Sequence, residues 1–208
     1  MIVEAGQLTL LLALVVSAYV VVASLVGAAR RSPELVISGR YGLYSIPFLL
    51  VLATAALIYA FVTNDFSVRY VAENSNFAMP VQYTWVAFYA GNEGSLLFVA
   101  LALSGLSSVA LALAPRQLGN LLPYANSVLM LILTFYLTVL VTMANPFSQL
   151  EVVPVDGRGI NPLLTHPGMF IHPPLIMLGL IATAVPFSLA MAGLLAKKID
   201  DDWVDWGR

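Results

Sequence analysis

The sequence predicts an all-α integral membrane protein with about five membrane-spanning helices. Composition is the first sign: of 208 residues, 60% are hydrophobic and 10% charged, and the mean hydropathy is +0.90. Soluble domains run at about 45–50% apolar and about 25% charged residues. Charge spacing is the second, because it leaves uncharged stretches at 5–29, 41–64, 94–115, 117–150 and 159–196. Each is long enough to supply the roughly 20 apolar residues that cross a bilayer. The third is the asymmetric placement of lysine and arginine, which orients the spans.

The first span is predicted near 7–28. A cleaved leader would have a basic start and a short apolar core, whereas this one carries Glu4 and a longer run, so it reads as a retained helix. The second lies near 41–63 and the third near 94–114, the latter opened by Gly91-Asn92-Glu93-Gly94-Ser95. Small, capping and acidic residues suit a helix start, where unpaired N–H groups and the positive end of the dipole meet them. The fourth is trimmed by prolines to 123–144 and the fifth to 174–196. With the N-terminus outside and the C-terminus inside, Arg30, Arg31, Arg40, Arg116, Lys197, Lys198 and Arg208 fall on the cytoplasmic side, and only Arg69 and Arg158 outside.

This orientation puts two long loops, 64–93 and 145–173, on the outer face of one membrane domain spanning 1–208. The first loop turns aromatic through Tyr83, Trp85, Phe88 and Tyr89, which predicts a short interfacial helix. The second is punctuated by prolines and reads as an ordered irregular segment, with Asp156-Gly157-Arg158-Gly159 as a turn. The closing segment "KKIDDDWVDWGR" reads as a short charged cytoplasmic stretch, in which Trp203, Asp205 and Trp206 begin an inner loop.

No repeat or low-complexity tract is found. With no cysteine there is no disulfide, thiolate metal site or thioether attachment point on this chain. The net charge of −2 without basic clusters argues against nucleic acid as a partner.

The stretch "NPLLTHPGMFIHPPLIMLG", 161–179, holds both histidines, His166 and His172. His172 precedes Pro173-Pro174, which suit the first turn of a helix because proline has a preset φ and lacks an N–H that would be orphaned there. A neutral imidazole on that stiff backbone suits haem iron or another transition metal; taken by itself, the residue reads first as a plain interfacial helix cap. His166, separated from it by Pro167-Gly168, cannot share a helical face with it and reads as a loop residue. Two histidines without cysteine fall short of the three or four protein ligands zinc takes. Glu93 is a carboxylate at or near membrane depth, either functional or simply a charge at a helix N-terminus. Arg158 and Arg69 are the outer cations, available to an anionic ligand or to Asp156, Asp65 and Glu73. Trp85, Phe88 and Tyr89 form an interfacial belt or a surface on which a flat macrocycle could stack.

Taken in order, these stretches resemble the CcmF family, the haem lyase component of bacterial cytochrome c maturation. The resemblance begins at Met1-Ile2, Glu4, Gly6 and Leu8, continues through "DFSVRYVAENSN" (65–76), "GNEGSLL" (91–97) and "NPF" (145–147), and ends with "DGRGINPLL" (156–164), "PGMFIHPPL" (167–175) and "VPF" (185–187). It implies the N-terminal part of a larger protein of the bacterial inner membrane, working at the periplasmic face. There the family takes b-type haem from a periplasmic haem chaperone for covalent attachment to apocytochrome c, alongside thiol-handling maturation proteins. The resemblance puts the "HPP" histidine, His172, on the haem iron as axial ligand, with Trp85, Glu93, Arg158, Pro173 and Pro174 forming or supporting the pocket and no demand for His166. The remaining C-terminal part of the lyase and the lipid bilayer are then its structural partners. Two alternatives stand beside this: a noncatalytic membrane subunit or transporter component, and a quinone- or metal-handling protein using both histidines. Neither an ionisable group nor a broken helix is expected at mid-membrane in the five spans.

Overall fold

The computed structural model describes residues 1–197; the expectations for Lys198, Arg208, Trp203, Asp205 and Trp206 lie outside the described residues. Five membrane-competent helical spans are present, as predicted. They are α1 (Ile2–Arg30), α2 (Pro33–Val62), α5 (Asn92–Leu113), α6 (Leu122–Thr142) and the pair α7 (His172–Ala182) and α8 (Ala184–Ala196). Two short helices, α3 (Arg69–Asn74) and α4 (Thr84–Phe88), lie in the first long loop. No strand forms among the described residues; a lone antiparallel bridge joins Val68 to Gln149.

The first two helices start earlier than their apolar runs. Pro33 takes the first position of α2 behind Ser32, so the polar turns bearing Glu34 and Arg40 are helical too. Proline at Pro47 inside α2 is tolerated, as it is in membrane helices whose neighbours restore the lost bond.

Packing follows small residues rather than an apolar stripe. Along α1 the buried positions Gly6, Leu10, Ala13, Ser17, Val20, Ser24 and Gly27 recur every three or four residues. A Cβ on Gly39 would stand 2.7 Å from the Ser24 hydroxyl, and one on Gly6 would stand 2.5 Å from the Phe147 ring. Close approach of this kind drives helix association in lipid, where apolar surface gains nothing by leaving the solvent. Hydroxyls and amides tie the same faces: Thr134 donates to Ser17 at 3.0 Å, and Asn126 to Ser24 at 2.9 Å.

The fifth span is broken at Thr183, contrary to the expectation of unbroken helices. Pro186 cannot donate to the carbonyl of Ala182, so α7 stops there, and the Thr183 hydroxyl donates to Leu180 O at 2.6 Å. No ionisable residue lies from Pro173 to Ala196, on either side of the break, as the sequence predicts.

Both long loops sit at the end of the bundle where α1 begins, and they zip together. Arg69 N–H donates to Ser148 O (2.9 Å), and Leu150 N–H to Ser67 O (2.9 Å). Further along, Phe77 N–H donates to the Asp156 carboxylate (3.0 Å). Arg158 and Gly159 then donate to Ala72 O and Ser75 O at 2.8 and 3.0 Å. The "DGRG" stretch is therefore no self-contained turn. Its N–H groups satisfy the carbonyls that end α3. Gly157 is needed because a Cβ there would lie 2.0 Å from Ser75 O, and Gly159 because its φ is +84°.

Candidate functional site

The loop layer converges on the head of α7. His172 is the first residue of α7, followed by Pro173 and Pro174, with the imidazole exposed and the Pro174 ring buried. No hydrogen bond engages the His172 ring among the described residues, so both nitrogens are open to a ligand. His166 behaves differently. Its Nδ1 accepts from Gly168 N–H at 3.0 Å and caps the short 3-10 turn Pro167–Phe170, as a loop residue would.

The segment leading into His172 is pinned by three aromatic donors from the first loop. Tyr83 O–H donates to Thr165 O at 3.3 Å, Trp85 Nε1–H to Phe170 O at 3.1 Å, and Tyr89 O–H to Met169 O. The rings also pack. Tyr83 lies 5.4 Å from Phe170, and Trp85 stacks on Phe88 at 6.1 Å while meeting Tyr89 edge-on at 5.5 Å. The sequence marked these rings as a belt or a stacking surface; their polar ends act as a clamp. Phe98 also meets Trp85 edge-on, at 6.1 Å, and Trp85 stays 38% exposed. Trp85→Phe keeps an aromatic ring but removes the bond to Phe170 O, which is exposed enough for water to replace it in part, a loss of about 0.5–1.5 kcal/mol. Hydrogen exchange at Met169 and Ile171, whose N–H groups close the 3-10 turn, is expected to quicken by about tenfold.

Tyr70 carries no mark in the sequence as a functional residue, yet it organises the neighbouring corner. Its hydroxyl donates to Phe88 O at 3.0 Å and accepts from Gly91 N–H at 2.9 Å. Burial pushes its pKa well above the ordinary phenol range; the Gly91 N–H opposes this and the Glu93 carboxylate adds to it. Burial likewise raises the Tyr89 hydroxyl. Glu93 lies in the first turn of α5, and a Cβ on Gly91 would stand 3.2 Å from Glu93 Oε2, so the carboxylate folds back over that corner.

The outer arginines are exposed and unpaired among the described residues, where the N-terminal amine and Glu4 make the only ion pair. Their nearest expected partners are engaged otherwise: Asp65 accepts from the Ser67 hydroxyl and N–H, and Asp156 from Phe77 and Gly157. Because Arg158 holds α3 through its backbone alone, Arg158→Gln is expected to shift stability by less than about 0.5 kcal/mol in a detergent melt. Its guanidinium is thus free of structural duty. No group of three or more His, Asp or Glu stands ready for a metal ion among the described residues.

The sequence matches the family model for cytochrome c assembly proteins over residues 89–206. Two cytochrome c-type biogenesis proteins CcmF are similar to it. That of Pseudomonas fluorescens is 39% identical over 99% of this chain and 31% of its own length, and that of Escherichia coli K12 is 34% identical over 99% and 32%. A solved structure of the cytochrome c haem lyase CcmF superposes with a TM-score of 0.86 at 26% identity, covering 100% of this chain and 32% of that one. The chain spans about a third of the length of these relatives. With the model covering more than half of its residues, and its whole length aligned to an N-terminal portion of CcmF, the chain belongs to the cytochrome c assembly protein family.

Proposed function

We propose that this chain is the N-terminal part of a cytochrome c haem lyase and presents His172 as an axial ligand to b-type haem at the periplasmic face of the inner membrane. One observation supports this above the others. The exposed, unbonded imidazole stands at the head of α7, directly after a segment fastened by Tyr83, Trp85 and Tyr89. A histidine serving only as a helix cap would spend its ring on backbone, as His166 does.

The donor set fits haem on one side. His172 offers a nitrogen, and Pro173 and Pro174 restrict the backbone that aims it. The exposed part of Trp85 offers an apolar surface beside Phe170, and Arg158 or Arg69 offers a charge-assisted bond to a carboxylate such as a propionate. Glu93 supports the corner beneath. When bound, the macrocycle supplies the positions to which the apocytochrome cysteines attach. The work of this chain is holding and orienting. A haem chaperone would deliver to this face and apocytochrome c would receive from it, with the rest of the lyase closing the open side. The outward orientation rests on the arginines and lysine that close the opposite end of the bundle.

Titration of the purified chain with haem, followed in the Soret region under oxidising and reducing conditions, tests the reading. A saturable band is expected. Its absence in both conditions would reject haem binding by this part of the protein and favour the noncatalytic membrane-subunit alternative.

A further inference from the structure

The end of the bundle opposite the loops carries a second constructed feature. Arg30 and Arg31 close α1, Arg40 lies two turns into α2, Arg116 sits between α5 and α6, and Lys197 closes α8. Among the described residues Glu34 is the sole carboxylate at that end, and none of these cations forms an ion pair with another described residue; Asp200, Asp201, Asp202 and Asp205 follow Lys197 in the sequence, outside the described residues. Arg31 and Lys197 cap their helices with φ of 53° and 54°, a left-handed conformation in which glycine is the usual occupant. Both side chains line one groove.

The groove has two connected parts. The outer part, about 850 Å³, is lined by Arg31, Ser32, Asn120, Tyr124 and Lys197. The inner part, about 150 Å³, is lined by Arg40, Leu111, Leu122 and Asn126. Val36, Gly119 and Pro123 line both, so the two form one depression. Asn126 is 3% exposed; its Nδ2 donates to Ser24, but its Oδ1 has no hydrogen-bond partner. A buried carbonyl oxygen left without a donor is costly, and this one belongs to a residue that lines the inner part of the groove.

We propose that this groove binds the headgroup of an anionic glycerophospholipid. The phosphate meets Arg31 and Lys197, a headgroup hydroxyl reaches toward Asn126 Oδ1, and the acyl chains leave past Val36, Leu111 and Leu122. Basic pockets between membrane helices recognise lipid phosphates in this way, with cations for the charge and apolar flanks for the tails. Free inorganic phosphate satisfies the cations but gains nothing from the apolar wall. The site shares no residue with the head of α7 and stands independently of haem binding.

The purified, delipidated chain would be titrated with phosphatidylglycerol, with zwitterionic phosphatidylethanolamine and with inorganic phosphate, bound lipid being counted by native mass spectrometry. Phosphatidylglycerol is expected to bind preferentially and to resist displacement by millimolar phosphate. Arg31→Gly combined with Lys197→Gly removes both charges while placing glycine where φ already favours it, so the helix ends stay relaxed. Its phosphatidylglycerol affinity is expected to fall on the order of thirty-fold. Asn126→Leu is expected to narrow the preference over phosphatidylethanolamine; because it also removes the bond to Ser24, the two lipids are compared within the variant at a temperature below its own melting point. Equal retention of the two lipids, or unchanged affinity in the glycine variant, would overturn the proposal. Displacement of lipid by inorganic phosphate would overturn it too, in favour of a free-anion site.

Discussion

His172→Ala is expected to abolish haem capture by this chain while leaving its helices folded and inserted. The imidazole is exposed, sits at the first position of α7 and makes no hydrogen bond among the described residues, so truncation removes neither packing nor a cap. Stability should therefore move by less than about 0.5 kcal/mol, as for a surface change. Ligation is another matter. Losing a partner that merely orients a metal ligand costs about 10–100-fold in affinity, and losing the ligand itself should exceed the upper end of that range. The Soret band on haem titration, and the yield of mature cytochrome c in cells depending on the protein, should both collapse. His166→Ala should leave both nearly intact, because its ring only caps a 3-10 turn. If His172→Ala retains the band and the yield, the ligand assignment is wrong; if His166→Ala removes them as well, the two histidines act together.

Gly94→Ala is expected to destabilise the protein by about 3 kcal/mol or more, far beyond what one methyl group usually does. A Cβ at Gly94 would stand 1.6 Å from Phe88 O and 2.7 Å from the Tyr70 hydroxyl. Phe88 O is backbone and already accepts the Tyr70 hydroxyl, so it cannot swing aside without undoing the corner between α4 and α5. That corner carries Trp85 and Tyr89, so haem capture should weaken together with the thermal unfolding midpoint. Gly105→Ala, in the same α5 helix with open space around its Cα, serves as control. It should be neutral or stabilising by up to about 1 kcal/mol, since alanine is the better helix former. Equal melting of the Gly94 and Gly105 variants would show that the corner is soft and that the clamp does not depend on it.

The two variants differ in what announces them. His172 stands out in the sequence because histidine is scarce in the chain and Pro173-Pro174 follow it. Gly94 is legible only as part of a helix start, since nothing in "GNEGS" says that a carbonyl six residues earlier comes to rest against it. The same holds for the aromatic stretch. Trp85, Phe88 and Tyr89 were legible as interfacial rings, but the carbonyl acceptors of Tyr83, Trp85 and Tyr89 lie some eighty residues on and no local pattern encodes them. Arg158 shows the inverse case. Its charge invited pairing with Asp156, yet Asp156 is spent on backbone N–H groups and the arginine serves the fold through its own N–H.

The number of spans, their approximate limits and the two long loops were determined by the sequence alone, because transfer of a helix into a bilayer sums over its own residues and needs no knowledge of the neighbours. Which face of each helix is buried was not, since lipid and protein interior are equally apolar and hydrophobic periodicity loses its meaning; the stripe Gly6, Ser17, Ser24 and Gly27 on α1 emerges only against α2 and α6. Tertiary structure alone decided that the two loops zip into one layer, that Pro186 breaks the last span at Thr183 and that Asn126 keeps an unpartnered oxygen beside a cation-lined groove. Each of these depends on where one hydrogen-bonding group finds, or fails to find, another: a relation between distant segments that composition and spacing do not carry.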